Sequence, residues 1–178
     1  RSSDLLVEEP FPIIAISMNL DDFFGEDIGM FNYSKYGRPG NGQTDKYNGN
    51  MDWDRPVHFE YFTTDNKCVV SQECDFSACG GWSRAWSPHS FKLKAGKAYD
   101  FNNSFNYQFF GSEKDNPAVD NGKGYLKHKT LQIRNGGNDT NARIKDAAMQ
   151  QIITSSGLYV EHQAWQPVHV YIDGMSYA

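Results

Sequence analysis

Val57-His58-Phe59-Glu60-Tyr61-Phe62, followed by Asp65-Asn66 and then by Lys67 to Ser71, decides how this chain folds. The first six residues alternate apolar and polar side chains up to Phe62, the period of a strand with one face buried. Asp65-Asn66 supplies a turn, and Lys67 to Ser71 returns as the second strand of a hairpin. A chain that nucleates on such a hairpin is built around a sheet.

Reading outward, other short apolar runs have the same character. Pro12 to Met18 reads as a buried strand, with Asn19 to Asp22 following as a turn or a helix start. Phe76 to Cys79 and Ser90 to Leu93 are strands flanking a Gly80-Gly81 turn. Leu126 to Arg134 reads as a strand with Leu131 and Ile133 on one face, and Val168 to Ile172 as the last clear strand. The stretch from Asn32 to Arg55 is rich in Gly, Asn, Asp and Tyr without a period, and reads as a long surface loop. One helix is expected, from about Asn141 to Ser155, with Ile144, Ala148 and Ile152 on its apolar face and Gly157 as its C-terminal stop. The fold class is therefore α+β, a β-rich mixed or antiparallel sheet with one main helix.

Composition narrows the function. At 178 residues with 39% hydrophobic and 22% charged residues, the chain reads as one soluble globular domain. A net charge of -5 gives no basic footprint for nucleic acid. No run approaches the roughly 18 apolar residues of a membrane span. Arg1 is not an initiator methionine, so the reading expects the chain to begin inside a longer protein. Asp173-Gly174 is a hairpin signal with only Met175 to Ala178 left to pair back, so it also expects the domain to continue beyond Ala178.

Cys68, Cys74 and Cys79 are odd in number and wrongly spaced for a zinc knuckle, which favours buried or free thiols. The five histidines show no metal-ligand spacing, and no serine-nucleophile signature appears. His58 and His169, within strands, read as satisfied structural residues. Sequons occur at Asn32, Asn102 and Asn138. Trp53, Trp82, Trp86, Tyr33, Tyr36 and Tyr47 crowd the long loop and the Gly80-Gly81 turn, and exposed aromatics of that kind can stack on sugar rings.

Taken in order, several segments resemble the CotH (spore coat protein H) kinase family. These are Asp21-Asp22-Phe23-Phe24, Trp53 to Phe62, Ser71-Gln72, Gly80-Gly81-Trp82-Ser83-Arg84, Ser90 to Leu93, Leu131 to Asp139, Arg143 to Ala147 and Val168 to Gly174. The resemblance spans residues 12–178, after a lead-in at residues 1–11. It implies the N-terminal part of an atypical kinase-like fold, ATP and Mg²⁺ as cofactors, and phosphoryl transfer to Ser/Thr of a protein substrate. It further implies an extracellular or cell-surface location, in a chain expected to be catalytically incomplete as it stands. The competing reading is a non-catalytic surface-interaction or carbohydrate-binding module.

By the same resemblance, Gly80, Gly81, Ser83, Arg84, His89 and Lys92 are the cofactor-binding candidates. Gly80-Gly81 either covers a nucleotide or makes a tight turn between strands. His89 stands where the family commonly has lysine, and a largely neutral imidazole is a poor substitute on phosphate. Lys92, on the same strand, is positioned to compensate. Ser77 and Met175 also depart from the family pattern. Asp139 and Asp146 are the catalytic candidates, and Asn135 and Asp139 the metal candidates. A helix cap competes for Asp139, and a solvated charge or a salt bridge to Lys145 or Arg143 competes for Asp146. Further acidic metal ligands are expected beyond Ala178.

Overall fold

The computed structural model describes residues 10–40, 44–110, 126–137, 139, 141–158 and 160–177. In chain order the elements are β1 (Ile13–Ser17), α1 (Leu20–Phe24), β2 (Tyr33–Arg38), β3 (Arg55–Phe62), β4 (Cys68–Ala78) and β5 (Phe91–Ala95). They continue with α2 (Lys97–Asp100), β6 (Phe105–Asn106), β7 (Lys127–His128), β8 (Thr130–Ile133), α3 (Lys145–Ser155), β9 (His169–Ile172) and β10 (Met175–Ser176). Seven strands form one sheet in the order β10-β9-β1-β3-β4-β5-β8, and β6 pairs β7 in a small second sheet. β9 runs parallel to β1, and every other pair in the large sheet is antiparallel. The expected mixed, β-rich α+β architecture is what the chain adopts.

The hairpin on which the sequence reading rests forms as expected. Asn66 takes the left-handed conformation at the turn (φ 59°), and the register runs from Phe62 opposite Cys68 to Arg55 opposite Phe76. Its return strand is longer than expected, because β4 continues unbroken for 11 residues to Ala78. Glu73 and Asp75 interrupt the apolar run without interrupting the strand, since they occupy its outer face. Inner-face residues Val57, Phe59 and Tyr61 of β3 meet Val70, Cys74 and Phe76 of β4 and Phe91 and Leu93 of β5, all buried. Phe23, Met30, Phe31, Tyr47, Phe105 and Phe109 cover that face and complete the core.

Two expectations need correction. The segment between Asn32 and Arg55 is exposed or half-buried along most of its described length, as a surface loop would be, but it is not irregular throughout and it turns into the core at Tyr47 to Asn50. β2 forms bridges from Tyr33 and Arg38 to Tyr47, and the 3₁₀ turn Asn48–Asn50 is buried beneath it. Side-chain amides stand in for a sheet ladder there. Asn32 donates to the carbonyls of Phe24 (2.7 Å) and Gly25 (2.9 Å), satisfying the end of α1. Because Asn32 is engaged in this way, its sequon is part of the fold, whereas Asn102 lies on the exposed surface and Asn138 outside the described residues.

The second correction concerns α3. It begins at Lys145 rather than Asn141, and none of its described residues is buried. Ile144 and Ile152 are each 60% exposed, so the expected apolar face is largely open among the described residues. Arg143 in the left-handed region (φ 58°) holds the chain out of helical geometry until after it. The C-terminal stop is as expected, with Gly157 left-handed (φ 69°). The strand expected across Leu126 to Arg134 divides into β7 and β8, one in each sheet. Asp173-Gly174 does make the last hairpin turn, and Met175 and Ser176 pair back on Ile172 and Tyr171. Cys68 is exposed, Cys74 and Cys79 are buried, and none of the three forms a disulfide among the described residues. Among the described residues, no helix is long and apolar enough to cross a membrane.

Candidate functional site

Between β4 and β5 the chain leaves the sheet at Gly80 (φ 109°), makes a 3₁₀ turn over Trp82–Ala85 and rejoins at Ser90. The edge strand β8 leads into a second turn, Asn135-Gly136-Gly137. Asn135 ties the two together. Its Nδ2 donates to the Pro88 carbonyl at 2.6 Å, its backbone N–H donates to Ser90 Oγ at 3.0 Å, and its Oδ1 accepts from the Gly137 N–H at 2.8 Å. Gly136 (φ 64°) has no room for a side chain, since a Cβ would lie 2.7 Å from the Arg143 carbonyl oxygen. Ser83 approaches Gly137 from the other side, 3.2 Å from where a Cβ would stand. These contacts enclose a cleft of about 210 Å³ lined by Trp86, Ser87, Pro88, Asn135, Gly136, Gly137 and Arg143.

The cofactor-binding candidates divide. Gly80, Gly81, Ser83, Arg84 and His89 share the loop that forms one wall of the cleft, although none of them is among its lining residues. Arg84 turns inward, donating to the carbonyls of Gly80 and Gly49 (3.0 Å each). His89 stacks on Phe31 with ring centroids 4.0 Å apart, and its Nδ1 lies 3.1 Å from the Arg84 carbonyl and 3.3 Å from Tyr47 Oη. Burial pushes the His89 imidazole below its ordinary pKa, which favours the neutral ring. The His89 N–H donates to Tyr177 Oη at 2.7 Å, and burial pushes that phenol up to about 12. Lys92 lies on the outer face of β5, opposite Ser77 and Gln132.

Asp139 and Asp146 are engaged by different partners. Asp139 heads the turn before α3. Its Oδ2 accepts from the N–H groups of Lys145 (3.0 Å) and Ile144 (3.1 Å), and its Oδ1 from Ala142 (3.3 Å). Those bonds, the one from Lys145 foremost, hold its carboxyl below the usual range. Asp146 pairs with Arg134 rather than with Lys145 or Arg143. The two candidate metal ligands are already engaged within the fold. Asp139 and the Asn135 amide are engaged by backbone groups, and among the described residues no three His, Cys, Asp or Glu side chains converge.

Asp139 carries a testable consequence. A carboxyl whose folded pKa is lowered stabilises the fold above its unfolded pKa, and that contribution is lost as pH falls through the folded value. Thermal melts from neutral to acid pH are expected to show the native chain losing its lead over Asp139→Asn on the acid side. Asn still accepts from the helix N–H groups but does not titrate. Parallel pH profiles for the two chains would show that Asp139 is not the cap.

Ser87, Pro88 and Arg143 line the cleft and were not among the sequence's site candidates, while Trp86 was a candidate only for sugar stacking. Arg143 was legible only as the start of a helix; its left-handed backbone is what places it beside Gly136. The model of one protein family, described as CotH kinase protein, matches residues 76–177, which include the whole cleft. No curated protein and no solved structure matches the chain. With more than half of its length matched, the chain belongs to the CotH kinase family.

Proposed function

We propose that this domain is an atypical kinase-like fold that binds ATP and serves phosphoryl transfer to Ser/Thr of a protein substrate at the cell surface. The observation that carries the reading is the cleft beside the Gly136-Gly137 turn, inside the family match, with Arg143 among its lining residues. Glycine backbone and a guanidinium suit phosphate oxygens, the first by close approach and the second by paired N–H donation. ATP would supply the transferable phosphoryl group. In this chain Arg143 would neutralise phosphate charge, Trp86 and Pro88 would exclude water, and Asn135 would keep both walls in register. Asn135 and Asp139 would be this chain's metal ligands, with ATP phosphates completing the shell.

A second reading, a carbohydrate-binding surface, is favoured by Trp86 on the cleft wall and by the exposed Trp82, Tyr33 and Tyr36. Thermal melts with ATP, ATP plus Mg²⁺, and an oligosaccharide panel separate the two. A nucleotide at a hundredfold excess over its Kd adds about 2.7 kcal/mol, a rise on the order of 5–10 °C for a domain of this size. Arg143→Asn, which tolerates the left-handed backbone, is expected to weaken ATP at least about tenfold, the loss of one charge-assisted contact. A melt raised by oligosaccharide alone would remove the kinase reading.

A further inference from the structure

The outer face of the β3–β4 hairpin carries a constellation that phosphoryl transfer does not use. His58 on β3 stands directly opposite Glu73 on β4, and Ser71 lies two residues along the same β4 face. His58 Nδ1 is 2.7 Å from Glu73 Oε1, and His58 Nε2 is 3.1 Å from Ser71 Oγ. The carboxylate fixes the role of Nδ1, and the neutral ring is the form that can serve as a base. An ionised carboxylate only accepts, so Nδ1 carries the proton and donates to Glu73. Nε2 of the neutral ring is then an acceptor, and the Ser71 hydroxyl donates to it. Carboxylate, imidazole and hydroxyl are thus joined through the same ring nitrogens as in a Ser-His-acid triad, which is defined by geometry rather than by sequence order.

Backbone placement adds a second element. The Cys79 N–H bonds to the Ser90 carbonyl, which shows that odd-numbered residues of β4 direct their N–H groups toward β5. Alternation along an antiparallel strand directs the Ser71 N–H the same way. The register of β5 on β4 reaches only Cys74 opposite Ala95, so the Ser71 N–H points past the end of β5. A nucleophile's own N–H is one of the two donors of an oxyanion hole in the triad enzymes. Ser71 is solvent-exposed and stands on open sheet rather than in a cleft.

We propose that Ser71 is a base-activated nucleophile, with His58 as its general base and Glu73 as the residue that orients the imidazole. Its substrate class is small activated carboxylic esters, because an open face selects for leaving group rather than for shape. In the acylation step a bond forms between Ser71 Oγ and the ester carbonyl carbon, and the bond from that carbon to the leaving oxygen breaks. The hydroxyl proton passes to His58 Nε2 and from there to the departing alkoxide. Water then attacks the acyl-serine with His58 again taking the proton, releasing the carboxylic acid and restoring Ser71. The site is independent of the kinase reading and stands whether or not ATP binds.

The test is labelling of the full chain with a fluorophosphonate probe, followed by intact mass and peptide mapping. It is run beside hydrolysis of p-nitrophenyl acetate. The expected result is one adduct on Ser71, absent in Ser71→Ala, with both rates lowered about 10²- to 10⁴-fold in His58→Gln, the usual share of a general base. Glu73→Gln is expected to fall between the native chain and His58→Gln. Selectivity for Ser71 over the other serines is read within the same molecule, and it must disappear in urea, so a misfolded variant is not mistaken for a chemical effect. Labelling spread over many serines, equal labelling of Ser71→Ala, or selectivity that survives denaturation would overturn the proposal.

Discussion

Phe76→Ala is expected to be the most damaging single truncation in the chain, with a loss of about 3–5 kcal/mol. Phe76 is fully buried and stacks on Phe91 with centroids 4.5 Å apart, while the rings of Phe23 (4.9 Å) and Phe31 (6.1 Å) meet it at an angle. Four rings from β4, β5, α1 and the segment after α1 therefore share one contact set. Removing the central ring leaves a cavity that the others cannot fill, because each is held by its own backbone element. Aromatic pairing adds to the lost burial. The effect also reaches the cleft, since Phe31 is the ring on which His89 stacks. Urea denaturation should show the midpoint falling sharply with the slope unchanged. Phe101→Asn is the control: Phe101 is 88% exposed and left-handed, and this change is expected to stay within about 0.5 kcal/mol of the native chain. If the two substitutions cost the same, the aromatic cluster does not organise this core.

The contrast between these two phenylalanines marks what sequence can and cannot carry. Period-two alternation placed Val57, Phe59 and Tyr61 on one face, and the structure buries all three. The strands β1, β3, β5 and β9 were legible for the same reason, as short apolar runs bounded by turn residues. The parallel pairing of β1 with β9 was not, because partner choice between strands some 150 residues apart leaves no local periodicity. β4 appeared as two strands because Glu73 and Asp75 break its apolar run, although both occupy outward positions.

The candidate site was legible in part and for similar reasons. Glycine turns at Gly80-Gly81 and Gly136-Gly137 were visible, and Asn135 is the residue that joins their loops. Charged residues were harder to read. Arg84, a candidate for phosphate, bonds carbonyls of its own and a neighbouring loop, contacts no local pattern announces. Asp139 accepts from the start of α3, the simpler of its two readings. Ser71, His58 and Glu73 lie 13 and two residues apart in sequence, a spacing that has meaning only once the β3–β4 register is known. A hairpin register converts sequence distance into contact, and no motif of fixed spacing encodes it.

Asn48 shows how a segment that resembles a surface loop is held inside, and its removal is expected to rank second, at about 2–4 kcal/mol. Asn48 is completely buried. Its Nδ2 donates to the carbonyls of Gly29 (2.9 Å) and Asp27 (3.1 Å), and its Oδ1 accepts from Ser34 Oγ at 2.7 Å. Its backbone N–H donates to the Asn32 carbonyl at 2.9 Å. One side chain thus satisfies groups from three turns of irregular backbone, which have no ladder to satisfy them. Asn48→Ala strands the Asp27 carbonyl and the Ser34 hydroxyl. It also removes one of two bonds to the Gly29 carbonyl, which still accepts from the Asn32 N–H at 3.1 Å. Each unsatisfied buried group costs about 1–3 kcal/mol unless water enters. Asn48→Asp sharpens the test, because a carboxylate can accept from Ser34 but cannot donate to either carbonyl. That variant is expected to be less stable than Asn48→Ala at neutral pH. It should recover part of the difference in acid, where a protonated carboxyl donates one of the two bonds. Amide exchange across residues 27–34 would report the loosening before global unfolding. A fully native exchange pattern in Asn48→Ala would mean that Tyr47 and its apolar neighbours alone keep the segment in the core.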